Sequence, residues 1–219
     1  PPVGDGSLAT APGAADGGGD AGASGAIIAP TALLDPEGTI AVTGLAVGGP
    51  DFGGVGVGVS YVPAARVGVG VGFGQLVDAG AAYATVKLQL VHEESLRLAV
   101  DATGILAGRA SALVGGTMTF CITDDCASNV SGFAGISTPG ETVFVSGAVT
   151  LGVHRHVKLL AEYGQIGSGP LGLGGLLLGA RITGAPAALT ISATGPWSSN
   201  DAPVGVLLSL TYRTHVGGA

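Results

Sequence analysis

From residue 38 onward, large apolar residues alternate with small or polar ones at every second position. A period of two is the spacing of a β-strand, because successive side chains point to opposite faces of a sheet. Bounded by turn residues, the pattern predicts about twelve strands: 39–48, 54–63, 67–76, 81–91, 96–106, 110–121, 128–137, 142–153, 157–166, 174–183, 188–196 and 204–214. No segment carries a convincing helical period. The extreme case is VGVGVGFGQL at 67–76, which follows GVGVGVSYV on the preceding strand. Glycine within a strand is costly in chain entropy and packs nothing, so a run of it calls for a geometric reason such as close approach, curvature or open space.

The alternation sorts the charges. Val86, Leu88 and Leu90 share one face and Lys87 and Gln89 the other, while Leu98 and Val100 oppose Arg97, Ala99 and Asp101. Leu159 and Tyr163 oppose Lys158 and Glu162, Leu178 and Ile182 oppose Arg181, and Leu210 and Tyr212 oppose Arg213. Strand charges never fall on the apolar face. The connections PAAR, HEES, HRH and GAPA look tight, whereas GGPDFGG, LVDAGA, IGSGPLG and WSSNDAPVG look longer. Such alternation suits an up-and-down antiparallel barrel with short turns on one rim. The weakest strand, SNVSGFAGIS, is needed for parity, because without it HRH would fall on the wrong rim.

Composition decides which way the apolar face looks. The 219 residues include 42 glycines, only 11% charged residues and a mean hydropathy of +0.58. Ordinary soluble domains carry about 25% charge. Yet no apolar run reaches the roughly 18 residues of a membrane helix. That leaves a membrane β-barrel or a very buried soluble β-fold, such as a sandwich. The polar face is mostly glycine, alanine and threonine and the apolar face mostly valine and leucine, which favours lipid outside and a lumen within. On this expectation Gly68, Gly70 and Gly72, beside Gly56 and Gly58, form a bare wall of the lumen.

A net charge of -7 argues against a nucleic-acid partner. No charged, apolar, cleavable leader stands at residue 1, as expected for a mature chain or one without an export signal. The only cysteines, Cys121 and Cys126, are close enough to form a local disulfide in an oxidising compartment, with two free thiols as the alternative. Residues 1–25 are low-complexity Pro, Gly, Ala and Asp, and AIIAPTALLDPEG follows as an extended lead-in. The organisation expected is an arm at 1–37, a barrel at 38–215 and a short tail at 216–219.

On these features residues 30–215 resemble the bacterial outer-membrane β-barrel proteins. The last strand, GVLLSLTYRTH, is similar to the C-terminal assembly signal of that class, with Gly205 followed by Leu208, Leu210 and Tyr212 at alternating positions. It departs from the pattern because the chain does not end on Phe or Trp. The resemblance implies a bacterial outer-membrane location and a lipid bilayer as partner. Tyr61, Phe73, Phe120, Tyr163, Trp197 and Tyr212 are candidates for a thin aromatic girdle.

Inside such a barrel, Arg97, Lys158, Arg181 and Arg213 would form a basic collar near the short-turn rim, with Lys87, Asp101 and Glu162 at mid-depth. A charged ring selects ions by its field, so the first reading is a passive pore for small solutes or ions with a basic periplasmic mouth. The alternative for the same charges is an internal ion network that stiffens the wall. A second functional reading is a non-conducting scaffold whose arm, residues 1–37, docks an envelope protein or plugs the lumen. Enzyme readings fare poorly: neither glycine run has phosphate-loop spacing, and no G-x-S-x-G elbow occurs. His154 and His156 lack carboxylate or thiolate neighbours, so no metal or cofactor is expected. They lie with His92 and His215 near the short-turn rim.

Overall fold

The computed structural model describes residues 30–49, 52–76, 79–139, 142–166, 173–184, 186–196 and 205–216. Among these, every regular element is a strand: β1 (Thr39–Gly49), β2 (Phe52–Ala64), β3 (Val67–Leu76), β4 (Ala79–His92), β5 (Leu96–Ala107) and β6 (Arg109–Cys121). The second half runs β7 (Asn129–Thr138), β8 (Thr142–His154), β9 (Val157–Ile166), β10 (Leu173–Gly184), β11 (Ala187–Pro196) and β12 (Gly205–His215). Each strand pairs antiparallel with its neighbours in sequence, and β1 pairs with β12 to close the barrel. Closure leaves no unpaired sheet edge, the condition a strand-built wall must meet in lipid. All twelve expected strands form, including the weak seventh.

The expected contrast in connection length is only partly present. Positions 50–51 and 77–78, within the supposedly long links, are all that separates β1 from β2 and β3 from β4, and Gly108 alone joins β5 to β6. Glycine and alanine at these strand ends keep the extended backbone, so the ladder runs further than turn composition suggests. The rim where β1 starts and β12 ends, here the terminal rim, carries the turns 65–66, 93–95, 122–128 and 155–156. Its longest connection, 122–128, surrounds the disulfide. At the opposite, distal rim β1, β3, β5, β7, β9 and β11 end. Three register shifts, at Tyr61/Ala64, Gln89/Val91 and Gly152/His154, all sit near the terminal rim.

The barrel is inside out relative to a soluble protein. Val57, Val71, Leu88, Val100, Met118, Val145, Leu159, Ile191, Leu208 and Leu210 are all exposed on the outside, at positions spread around the closed sheet. Tyr61, Phe120 and Tyr212 stand on this outer face toward the terminal rim, and Phe73 and Tyr163 toward the distal rim. Aromatic rings at both edges of an apolar band mark the two lipid–water interfaces. Trp197 lies outside the described residues.

Cys121 and Cys126 are joined, closing the turn after β6. Within it the Ala127 amide and the Thr123 hydroxyl both donate to Asp125 Oδ1, at 3.0 and 2.7 Å. These two bonds, the backbone one first, hold the Asp125 carboxyl below its ordinary value. A depressed folded pKa contributes order above the unfolded value of about 3.9 and loses it as pH falls through the folded value. The protection of the Ala127 amide, taken relative to its intrinsic exchange rate at each pH, is therefore expected to fall below about pH 4. Asp125→Ala should remove that pH dependence, and an unchanged profile would refute the assignment.

Candidate functional site

The inner face is built from the other half of each alternation. Thr43, Ser60, Gln89, Thr117, Thr119, Ser131, Thr190, Ser209 and Thr211 are buried there. Hydroxyls pair across strands, Thr43 with Thr211 at 2.9 Å and Thr119 with Ser131 at 2.8 Å. Polar groups shielded from water need such partners, although among the described residues the buried Ser146 and Thr183 hydroxyls have none.

The charged positions occupy this face. Lys87 is 2% exposed and Asp101 8%, and they stand opposite each other on β4 and β5 with Nζ 3.4 Å from Oδ1. The Thr117 hydroxyl also donates to Asp101 Oδ2. Lys158 and Glu162 are buried on β9, and Arg181 on β10 donates from Nε to Thr190 Oγ1 at 2.9 Å. Arg97 is half-buried beside the 93–95 turn, and among the described residues its Nη1 has no hydrogen-bond partner. Of the histidines, His154 Nδ1 accepts the His156 amide at 3.3 Å, and His156 Nδ1 lies 3.0 Å from the Thr183 carbonyl oxygen. The His154 ring is thus engaged by its own turn and the His156 ring by the end of β10.

Gly68 and Gly70 are buried and Gly72 half-buried on the inner face, but the wall at Gly72 is not bare. The Tyr83 ring, directly across the β3–β4 ladder, would lie 2.4 Å from a Cβ placed there. Phe133 covers Gly115 and Gly135 in the same manner. Glycine here provides a seat for an aromatic ring, which covers backbone that has no side chain of its own. The seats differ in tolerance: at Gly72 the obstacle is the outer end of Tyr83, whereas at Gly115 it is also the Ala134 carbonyl oxygen at 2.5 Å. Gly115→Ala is expected to destabilise by about 1–3 kcal/mol in a urea titration, and Gly72→Ala by less. Equal costs would remove this account of the glycines.

Part of the arm also lies inside. Residues 1–29 are outside the described residues, but Ala32 is 0% exposed and Leu33 and Asp35 are each 8% exposed. The Ala32 amide donates to Thr119 Oγ1 at 2.8 Å, and its carbonyl accepts from Gln89 Nε2 at 2.7 Å. Lys87 Nζ donates to the Thr31 carbonyl. Leu33 packs on Cys121 and Cys126, and Arg213 Nε lies 3.3 Å from Asp35 Oδ2. The segment then turns into β1 at Gly38, whose φ of +82° suits glycine.

No protein-family model and no curated protein matches the sequence. Solved structures do match. The chain is similar to the KdgM porin, with a TM-score of 0.70 and 7% identity over 80% of this chain and 99% of that one. It is also similar to the NanC porin (TM-score 0.66, 7% identity, 79% and 98% of the two chains). A third similar structure is the Acinetobacter baumannii outer membrane protein Omp33 (TM-score 0.60, 9% identity, 81% and 99%). The fold is that of the bacterial outer-membrane β-barrels.

Within this fold the valine and leucine face looks outward and the buried charged side chains look inward. Sequence reasoning missed Tyr83, Phe133, Thr117, Thr119 and Asp35. Tyr83 shares the parity of Lys87 and Gln89, and Phe133 that of Ser131, so both rings could have been placed inside by extending the alternation. Asp35 precedes the first strand and offers no periodic signal.

Proposed function

We propose that this chain is a passive pore for small solutes or ions in a bacterial outer membrane, with a basic mouth at the terminal rim. The observation that carries the reading is a closed barrel whose buried charged and hydroxyl side chains face inward, among smaller apolar ones, while its outer face is apolar. The tight turns 65–66, 93–95 and 155–156 on the terminal rim support reading that rim as periplasmic, since short turns face the periplasm in this class of barrel. Arg97, Lys158, Arg181 and Arg213 then ring the periplasmic mouth and favour anions.

A non-conducting scaffold is the second reading, and the seating of residues 31–35 within the barrel favours it. Planar-bilayer recording of the full chain separates the two. Stepwise currents with a reversal potential shifted toward the anion support the pore. Silent bilayers, with folded insertion verified, support the scaffold, and a cation-shifted reversal potential removes the basic mouth.

A further inference from the structure

We propose that residues Thr31–Asp35 are a releasable plug, latched by the Asp35–Arg213 ion pair, that closes the terminal mouth of the pore. The inference rests on the pore reading and adds to it a closing element carried by the chain itself. In the closed ring of twelve strands, β6 and β12 stand on opposite sides. Ala32 is bound to Thr119 on β6 and Asp35 to Arg213 on β12, so these few residues cross the lumen from wall to wall. Lys87 and Gln89 on β4 hold the Thr31 and Ala32 carbonyls between those anchors.

The contacts are of a kind that can be exchanged. Among the described residues, Leu33 against the Cys121–Cys126 clasp forms a hydrophobic cluster of buried residues. The other contacts described here are hydrogen bonds and the Asp35–Arg213 ion pair, which folding trades against water for a modest net gain. The latch is the anchor most open to solvent, because the Arg213 side chain keeps 21% of its exposure, although Asp35 keeps only 8%. The pivot is firmer. The Gly38 amide donates to the Val62 carbonyl at 2.8 Å, and its own carbonyl accepts from the Val216 amide at 2.8 Å. Loss of the latch therefore frees the segment while leaving its junction with β1 in place. Release also takes the Asp35 carboxylate away from Arg213, so opening strengthens the basic field of the mouth, while Lys87 stays paired with Asp101.

The test uses Ala32→Cys in the full chain, which has no other free thiol. A bulky, membrane-impermeant thiol reagent should label it slowly, and Asp35→Asn or Arg213→Gln should each accelerate labelling at least tenfold. The same two latch variants should raise the open fraction in bilayers. Asp35→Cys with Arg213→Cys, joined by a cleavable thiol cross-linker, should stop conduction until the linker is cut. Asp35→Asn leaves the collar cations intact, so its effect cannot come from lost wall charge. Labelling that does not respond to either variant overturns the plug. Faster labelling in a chain whose conduction is unchanged overturns its role as a gate. Faster labelling with every variant silent overturns the pore reading and keeps the releasable segment.

Discussion

Leu210→Arg is expected to destabilise the bilayer-reconstituted barrel by about 2–4 kcal/mol, whereas Val153→Arg costs about 0–1 kcal/mol. Both residues stand on the outer face, 56% and 58% exposed, so a view based on solvent exposure alone would treat them alike. They differ in depth. Leu210 lies in the middle of β12, opposite Gly44 and Leu189, and Val153 is one residue from the terminal end of β8. An arginine at mid-height must bring its charge into hydrocarbon, while one at the rim reaches the headgroups. In a water-soluble barrel with the same alternation, both changes would fall within about 0.5 kcal/mol of zero. Urea unfolding in vesicles, followed by circular dichroism, measures the difference. Equal costs for the two variants would mean that the outer face does not meet lipid.

The same depth argument explains why so much of this fold is legible in the sequence. A lipid-facing strand must be apolar at every second position, so the chain records both the strand and its two faces without an alignment. Lys87, Asp101, Lys158, Glu162, Arg181 and Arg213 could be assigned to the inside on parity alone. Their partners could not. Lys87 meets Asp101 only because the 93–95 turn and the register shift at Gln89/Val91 bring those two residues opposite each other. Connection lengths were misjudged for a related reason: glycine reads as a turn residue, yet in Phe52–Ala64 it continues the ladder. Least legible was the Asp35–Arg213 contact, made across the lumen between residues 178 apart. Nothing periodic links a lead-in segment to the wall it crosses, so composition could suggest an arm but not its anchors.

The ion pair at mid-depth supplies the second large expected effect. Lys87→Met should cost about 3–5 kcal/mol, because it leaves the Asp101 carboxylate buried with only the Thr117 hydroxyl as a described partner. Asp101→Leu strands the Lys87 ammonium in the same way, although the Thr31 carbonyl still accepts from it. The double variant, Lys87→Met with Asp101→Leu, removes both charges together and should cost far less than the sum of the singles. Urea titrations of the four proteins in one lipid give the coupling directly. The size of the single effects also reports on water within the barrel. A pair washed by a wide aqueous lumen would be worth about 0–1 kcal/mol, and its singles would be mild. Large, strongly coupled losses instead require that little water reaches this depth, the condition that Thr31 and Ala32 create by lying against Lys87, Gln89 and Thr119. Freeing the latch with Asp35→Asn should then shrink the Lys87–Asp101 coupling as water enters. A coupling insensitive to the latch would place the dry environment in the wall itself rather than in the plug.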